Sequence, residues 1–336
     1  MKKAFAIIMS LILLLSCVPA GAARAEGKEI KVVATIFPIY DWVREIVGDD
    51  AAHVKIKLLL DNGVDLHSYQ PTAQDILAIS TADVFIYVGG ESDEWVEDVL
   101  ASAMNPDLKA ISLVETMGEG IKPEEIVEGM EHEHEHDHEG EEEHEHEEEE
   151  EHGHEDEDEA DEHVWLSLRC AEKLTQAIAD SLAGIDPDYA DHYQKNASAY
   201  REKLAGLDVR YTETVNSAAF RTVLFGDRFP FRYLADDYGL TYYAAFSGCS
   251  AESEASFATI VFLAQKVDEL NLPAVMTIEH PKTRIAETVV HNTAKKDQKI
   301  LALDSMQGTT AADIQAGITY LSVMEANLEV LKEALN

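Results

Sequence analysis

The side chains best suited to chemistry are concentrated in an acidic tract, residues 131–162. This tract contains 21 Asp or Glu and eight His, with no Lys or Arg, in a chain of 336 residues whose formal net charge is −39. Imidazole nitrogen and carboxylate oxygen suit Zn²⁺ and its first-row neighbours. A plain acidic run would be a solvated loop, but acidity alone needs no imidazole, so the pattern predicts that the tract handles metal ions. The predicted accessory metal-binding residues are His132, His134, His136, His138, His144, His146, His152 and His154.

The acidic tract is not expected to fold by itself, because it has no apolar side chains to bury and its like charges repel. Its sequence His132-Glu133-His134-Glu135-His136 fits the H-E-x-x-H pattern of zinc proteases. That pattern has catalytic meaning only on a stable helix beside a substrate cleft. In a low-complexity run it arises by chance. A metallohydrolase would also need a poised general base, and the sequence has no dedicated base motif outside the tract, so we predict that the protein is not an enzyme.

Four polar residues outside the repeating part of the tract are predicted to form a metal site. His67 lies in a short loop after a predicted strand, and His163 lies where the tract ends. Asp227 and Asp304 each follow a predicted strand in the second half of the chain. Ligands of parallel α/β sheets bind beyond the carboxyl ends of the strands. Two imidazoles with one or two carboxylates suit Zn²⁺ or Mn²⁺ better than Ca²⁺, which prefers oxygen ligands.

The elements that must position these residues alternate between strand and helix along the chain. This alternation predicts an α/β fold with mostly parallel sheets covered by helices. The predicted strands are Ile30–Thr35, Val54–Leu60, Val84–Val88, Lys109–Val114, Arg221–Phe225, Tyr242–Phe246, Ala274–Ile278 and Ile300–Leu303.

One long helix is predicted to join two lobes. From Asp188 to about Asn216, apolar and aromatic residues recur every three or four positions, and about 29 helical residues would span roughly 43 Å. The last helix is predicted from about Ala311 to Ala334. The predicted segments are 1–25 as signal and anchor region, 26–186 as N-terminal lobe with a disordered loop at 130–162, 187–218 as linking helix, and 219–336 as C-terminal lobe.

The N-terminus has the pattern of an export signal. Lys2 and Lys3 precede an apolar stretch, Ala4–Leu15, that is too short to span a bilayer as a permanent helix. The following Leu-Leu-Ser-Cys sequence resembles a bacterial lipobox, and lipidation of Cys17 would tether the protein outside the cytoplasm. Cleavage after Ala25, which would release a secreted or periplasmic soluble protein, is the alternative.

Two cysteines remain, Cys170 and Cys249. An extracytoplasmic compartment permits a disulfide, but a separation of 79 positions leaves a bridge and a buried free thiol equally open. Neither cysteine belongs to a Cys-x-x-Cys pair, so the pattern does not indicate a thiolate zinc site.

Several segments resemble the zinc- and manganese-specific solute-binding proteins of bacterial ABC transporters. Leu66-His67-Ser68-Tyr69-Gln70-Pro71-Thr72 is similar to the family's first-ligand loop, and Glu162-His163-Val164-Trp165-Leu166 is similar to its second. The resemblance extends from about Ile30 to Asn336, interrupted by the acidic tract, and such a tract is typical of the zinc members. It implies two α/β lobes joined by a rigid helix, and delivery of a captured metal ion to a membrane permease.

The resemblance fails at the third ligand. In the family this residue is a His or Glu that stands three residues before a Phe and five before a Tyr, and Arg228 occupies that position here. A guanidinium has no lone pair to donate and cannot bind a cation. Asp227 is the predicted substitute, unless it pairs with Arg228 at the surface, and Glu279 and His280 are further alternatives.

The fourth, acidic ligand position of the family matches Asp304. We therefore predict a lipid-anchored, monomeric receptor whose transported ligand is Zn²⁺, because the histidine-rich tract favours zinc and carboxylates alone would serve manganese. A manganese receptor is the first alternative, because two imidazoles and two carboxylates also suit Mn²⁺. A metal-buffering or adhesion lipoprotein with a vestigial cleft is the second. The strongly negative charge argues against nucleic acid as a partner.

Overall fold

The computed structural model describes residues 29–49, 51–130, 160–250, 254–279 and 283–336. The strands are β1 (Ile30–Ala34), β2 (Val54–Leu58), β3 (Val84–Tyr87), β4 (Lys109–Ser112), β5 (Thr222–Arg228), β6 (Thr241–Phe246), β7 (Ala274–Ile278) and β8 (Lys299–Leu303). The helices are α1 (Phe37–Val47), α2 (Ala73–Ser80), α3 (Trp95–Ala101), α4 (Leu113–Met117), α5 (Leu168–Ile185), α6 (Ala190–Ser217), α7 (Arg232–Tyr238), α8 (Phe257–Leu270), α9 (Arg284–Asn292), α10 (Ala311–Gln315) and α11 (Tyr320–Ala334).

The strands form two four-stranded sheets, with orders β2-β1-β3-β4 and β6-β5-β7-β8. All the pairings between these strands are parallel, which confirms the predicted fold class. In each sheet the first strand lies in the interior, with its successors added first on one side and then on the other. The loops after neighbouring strands therefore diverge at their carboxyl ends and leave a crevice there. Of the predicted site residues, His67 and Asp304 lie on loops that follow strands of these sheets.

Helix α6 is the predicted long helix, and it contains 28 residues. At 1.5 Å per residue it spans about 42 Å. Its buried face contacts both lobes: Asn196 Nδ2 donates to Ile46 O at the end of α1, and Tyr211 Oη donates to Met324 O in α11. A helix fixed at both ends in this way holds the two sheets at a set separation.

A single large core extends through both lobes. It comprises the first sheet, α1, α5, α6, α11 and one face of the second sheet, and a smaller core lies between the second sheet and helices α8 and α9. Trp42 of α1 meets Tyr320 of α11 edge to face at 5.2 Å between ring centroids. Tyr320 N also donates to the buried carboxylate of Asp41. These contacts join the two lobes beneath the crevice.

Two predicted elements differ from the structure. The last helix is divided into α10 and α11, because Gly317 has φ +95° and Thr319 begins a new helix with a capping box to Ser322. Strand β5 continues to Arg228, with an irregular register after Phe225, so Asp227 lies within the end of the strand and not beyond it.

The last three residues of the predicted disordered loop, residues 160–162, belong to the folded structure. Ala160 pairs with Pro123, and Asp161 and Glu162 are buried. Their carboxylates accept hydrogen bonds from the backbone, Asp161 from His163 N and Glu162 from Ser92 N, and this pairing keeps acidic residues ordered.

Several predictions lie outside the described residues. These are the apolar stretch before the lipobox, Cys17 with its lipid anchor, the accessory histidines from His132 to His154, and His280. In the described part of the chain, no helix combines the length and the hydropathy needed to cross a membrane.

Candidate metal site

His67 is positioned by a turn that follows β2. Asp65 accepts a hydrogen bond from His67 N at 3.0 Å and caps a 3₁₀ turn, Leu66–Ser68, that carries the histidine. The ring Nδ1 lies 2.7 Å from Ser92 Oγ, on the loop after β3. A serine hydroxyl both donates and accepts, so Ser92 holds the ring in place for either tautomer. The other ring nitrogen, Nε2, faces the crevice.

His163 is positioned by the carboxylate of Asp161, two residues before it in the chain. Its side chain is fully buried, and Asp161 Oδ1 accepts hydrogen bonds from both His163 N at 2.9 Å and ring Nδ1 at 3.0 Å. A carboxylate only accepts hydrogen bonds, so Nδ1 carries the hydrogen and Nε2 of the neutral ring presents a lone pair. This is the carboxylate–histidine arrangement that orients imidazoles toward metal ions.

The two Nε2 atoms are 3.2 Å apart. Two nitrogens bound at about 2.05 Å to one tetrahedral Zn²⁺ would be about 3.3 Å apart, so the pair already has the spacing of two ligands. Burial, together with the nearby charge of His163, lowers the pKa of His67 to about 3. The spacing and the lowered pKa both favour a neutral His67 imidazole beside His163 that can accept a cation. If the ring hydrogen of His67 moves from Nε2 to Nδ1, where Ser92 Oγ can accept it, Nε2 of His67 also presents a lone pair.

Cys249 is the third potential ligand in this group. Its Sγ and one ring nitrogen of each histidine all lie within 4.8 Å of one another. The cysteine follows the carboxyl end of β6, where its backbone N donates to Glu124 Oε1 at 3.0 Å. Burial, followed by the charges of Glu124 and Glu162, raises the pKa of the thiol. Both Cys170 and Cys249 are free thiols.

Gly248 permits the close approach of this loop to His163. A Cβ at residue 248 would lie 3.0 Å from His163 Cε1, 3.1 Å from His163 Nδ1 and 3.1 Å from Phe229 O. Any larger residue would push the imidazole or the loop away. The glycine therefore allows the backbone beside Cys249 to pack directly on the His163 ring.

Asp304 lies on the loop directly after β8, outside the three-residue group. Asn327 of α11 clamps its backbone, accepting from Asp304 N and donating to Asp304 O, each at 2.8 Å. Its Oδ1 accepts a hydrogen bond from Met306 N at 2.7 Å. The next residue, Ser305, accepts a hydrogen bond from Trp165 Nε1 at 3.0 Å, which brings the loop after β8 to the turn that follows His163.

Asp227 and Arg228 are engaged elsewhere. The Asp227 carboxylate accepts from Arg228 N at 2.9 Å and from Ile278 N at 3.3 Å, across β5 and β7. The Arg228 guanidinium forms an ion pair with Asp65, the residue that caps the His67 turn. Arg228 therefore joins the C-terminal lobe to the loop that carries the first histidine.

Two other acidic residues have structural roles near the site. Both oxygens of Glu279 accept hydrogen bonds from the loop after β8, from Ser305, Gln307 and Gly308. Glu162, only 1% exposed, accepts from Ser92 N at 2.8 Å, and burial raises its pKa. These carboxylates order the loops that hold Ser92 and Asp304.

The sequence predicts that His67 and His163 share a site, and the structure places their Nε2 atoms 3.2 Å apart, but Cys249 is not among the site residues predicted from the sequence. The cysteine has no Cys-x-x-Cys partner, and its loop is distant in sequence from both histidines. One signal could have found it, because Cys249 follows the carboxyl end of a strand, as His67 and Asp304 do.

Comparison with known proteins matches the chain to one family. Residues 32–334 match the family described as ZnuA, zinc-uptake complex component A, periplasmic. The chain is 33% identical over 333 residues to the zinc-binding lipoprotein AdcA of Streptococcus pneumoniae, covering 99% of this chain and 61% of the relative. It is 30% identical over 315 residues to the high-affinity zinc uptake system protein ZnuA of Bacillus subtilis, covering 94% of this chain and 90% of the relative.

A solved structure has the same fold. The Zn(II)-bound ZnuA-like domain of Streptococcus pneumoniae AdcA superposes with a TM-score of 0.68 at 29% identity, covering 92% of this chain and 99% of that domain. The chain spans about three fifths of the length of the AdcA proteins that it matches.

Proposed function

The chain belongs to the ZnuA family of zinc-uptake components, and on that premise we propose that it captures Zn²⁺ outside the cytoplasm and delivers it to an ABC permease. The main support for the proposal is that the Nε2 atoms of His67 and His163 lie 3.2 Å apart. The Nδ1 atom of each ring is held by a hydrogen bond, to Ser92 for His67 and to Asp161 for His163. The zinc-binding and zinc-uptake names of the relatives support zinc as the ligand. They also support a transport role and not catalysis.

Capture depends on preorganisation of the two imidazoles. Ser92 and Asp161 fix the rings before the ion arrives, so little ordering is needed on binding. Asp304 is proposed as a further ligand from the loop after β8, since that loop contacts the turn after His163. Asp227 is the weaker proposal, because its carboxylate already bridges β5 and β7.

Release is proposed to need the permease. The lobes share a core, and α6 is fixed at both ends, so large hinge motion of the isolated protein is disfavoured. Contact with the permease would instead shift the site loops and free the ion. A lipid anchor at Cys17 would hold the receptor next to that permease.

The acidic tract is proposed as a low-affinity collector. The segment before it, at Lys122–Glu125, contacts the C-terminal lobe next to the site: Tyr242 Oη donates to Glu125, and Glu124 accepts from Cys249 N. An ion held by the tract histidines would therefore be released close to the crevice. Faster zinc loading by the full chain than by a variant lacking residues 131–159, at equal final affinity, would support this role.

The function is tested by competitive titration of the full chain with Zn²⁺ and Mn²⁺ against a chromophoric chelator. Wild type should hold one Zn²⁺ far more tightly than the remainder, and His67→Ala should weaken that ion by about 100-fold or more, since even outer-shell changes cost up to that much. His291→Ala is the matched control, because this exposed histidine lies on α9 away from the site. Tight Mn²⁺ with weak Zn²⁺ would favour the manganese receptor, and equal titrations of wild type and His67→Ala would refute the cleft site.

A further inference from the structure

Arg228 leaves the cleft one ligand short, and the structure offers a replacement from another loop. The guanidinium is committed to Asp65, with side chains only 13% and 14% exposed, and it cannot bind a cation. Its strand neighbour Asp227 bridges β5 and β7. The loop after β6 instead brings the Cys249 sulfur to within 4.8 Å of a ring nitrogen of each histidine.

We propose that the Cys249 thiolate is the third protein ligand of the metal held by His67 and His163. This inference rests on the proposed function and adds a ligand to the same site. On binding, the S–H bond breaks, the zinc–sulfur bond forms, and the proton passes to solvent or buffer. The site then contains two imidazoles and one thiolate, with a further position left for Asp304 or water.

The distances allow this coordination with a small local movement. In a tetrahedral zinc site with Zn–S of about 2.3 Å and Zn–N of about 2.05 Å, sulfur and nitrogen are about 3.6 Å apart. The Cys249 Sγ is within 4.8 Å of one ring nitrogen of each histidine, so each of these sulfur–nitrogen separations has to shorten by about 1.2 Å at most. Rotation about the Cys249 side chain supplies a movement of that size.

The contacts around Cys249 hold its loop close enough to the histidines for this small movement to complete the coordination. Glu124 Oε1 accepts from Cys249 N at 3.0 Å, and Arg228 Nη1 lies 3.5 Å from Ser250 O on the other side of the cysteine. Gly248 removes the side chain that would separate the loop from His163. The loop is thus fixed by Glu124 on one side and packed on the His163 ring on the other.

A thiolate ligand also affects which metal is held. Sulfur is a soft donor that suits Zn²⁺, whereas Mn²⁺ prefers carboxylate, carbonyl and water oxygens. The proposed ligand set therefore discriminates against Mn²⁺ more strongly than two imidazoles and two carboxylates would. Arg228 stabilises the His67 loop through its ion pair with Asp65 and does not itself bind the ion.

Cobalt substitution of the full chain tests the proposal, because thiolate bound to Co²⁺ gives a near-ultraviolet charge-transfer band that imidazole and carboxylate do not. The acidic tract contains no cysteine, so its bound metal does not contribute to the band. Wild type and the matched control Cys170→Ser should show the band, and Cys249→Ser should lose it together with about 100-fold in zinc affinity. Cys249→His should recover tight zinc binding without the band, which separates loss of a ligand from misfolding.

The outcomes distinguish this inference from the function on which it rests. If Cys249→Ser keeps the band or the full zinc affinity while His67→Ala loses zinc, the thiolate ligand is refuted and the receptor function stands. If His67→Ala and His163→Ala both keep tight zinc, the proposed function itself fails.

Discussion

The ion pair between Arg228 and Asp65 predicts a measurable coupling between the two lobes. Each side chain is only about one-seventh exposed, at 13% and 14%. Two unit charges at about 3 Å attract by about 5 kcal/mol at an effective dielectric constant of 20, before desolvation is subtracted. Exposed pairs contribute about 0.2–1 kcal/mol, and removing one partner of a fully buried pair costs about 3–5 kcal/mol. We therefore expect a coupling free energy of about 2 kcal/mol for this intermediate case.

The perturbation is a double-mutant cycle of Arg228→Met and Asp65→Asn, read by urea unfolding of the metal-free protein. Asn at residue 65 still has an oxygen to cap the His67 turn, so the cycle isolates the charge interaction. Arg210→Met is the control, because its pair with Glu325 joins α6 to α11 at the surface, with side chains 48% and 55% exposed. That change should lower the free energy of unfolding by less than about 1 kcal/mol.

The same variants test the role of Arg228 at the metal site. Because a guanidinium does not ligate, Arg228→Met should keep tight zinc binding, or strengthen it slightly as a like charge is removed. A coupling free energy below about 0.5 kcal/mol would contradict the ion-pair reasoning. A loss of zinc affinity greater than tenfold in Arg228→Met would contradict its exclusion from the ligand set.

Three further predictions follow from individual residues. Burial raises the pKa of Asp93 to about 7, so the stability tied to its protonation is present below about pH 4 and is lost as the pH rises to 7. The free energy of unfolding of wild type, measured by urea unfolding, should therefore fall by up to about 4 kcal/mol across that range, and Asp93→Asn should remove this fall. The same pH profile in wild type and Asp93→Asn would refute the prediction. Gly248→Ala places a methyl group against His163 and should weaken zinc by about tenfold in chelator competition, so an unaltered affinity would show that the loop adjusts freely. Asp304→Asn should weaken zinc without lowering the melting temperature of the metal-free protein, and undiminished zinc binding would remove Asp304 from the ligand set.

Much of the fold could be predicted because local patterns determine it. The buried strands appear as short apolar runs, and α6 appears as a 3.6-residue periodicity that continues past 25 residues. The break between α10 and α11 was missed because apolar spacing continues across it. Gly317 and the capping threonine Thr319 were the available signals, and they outweigh periodicity at a helix boundary.

The histidine pair could be predicted, whereas its surroundings could not. His67 and His163 lie next to recognisable segments, and their resemblance to a known family indicates a shared site. Cys249 and the Arg228–Asp65 pair depend on contacts between residues separated by 86 or more positions in the chain. No local pattern encodes such contacts, since they arise only when the loops of two separate sheets are brought to one crevice.

The most direct test of the account is a crystal of the protein loaded with one equivalent of Zn²⁺, with anomalous diffraction measured on both sides of the zinc absorption edge. We expect one strong anomalous peak within bonding distance, about 2.0–2.1 Å, of both His67 Nε2 and His163 Nε2. An empty crevice with the zinc peak at another position would contradict it.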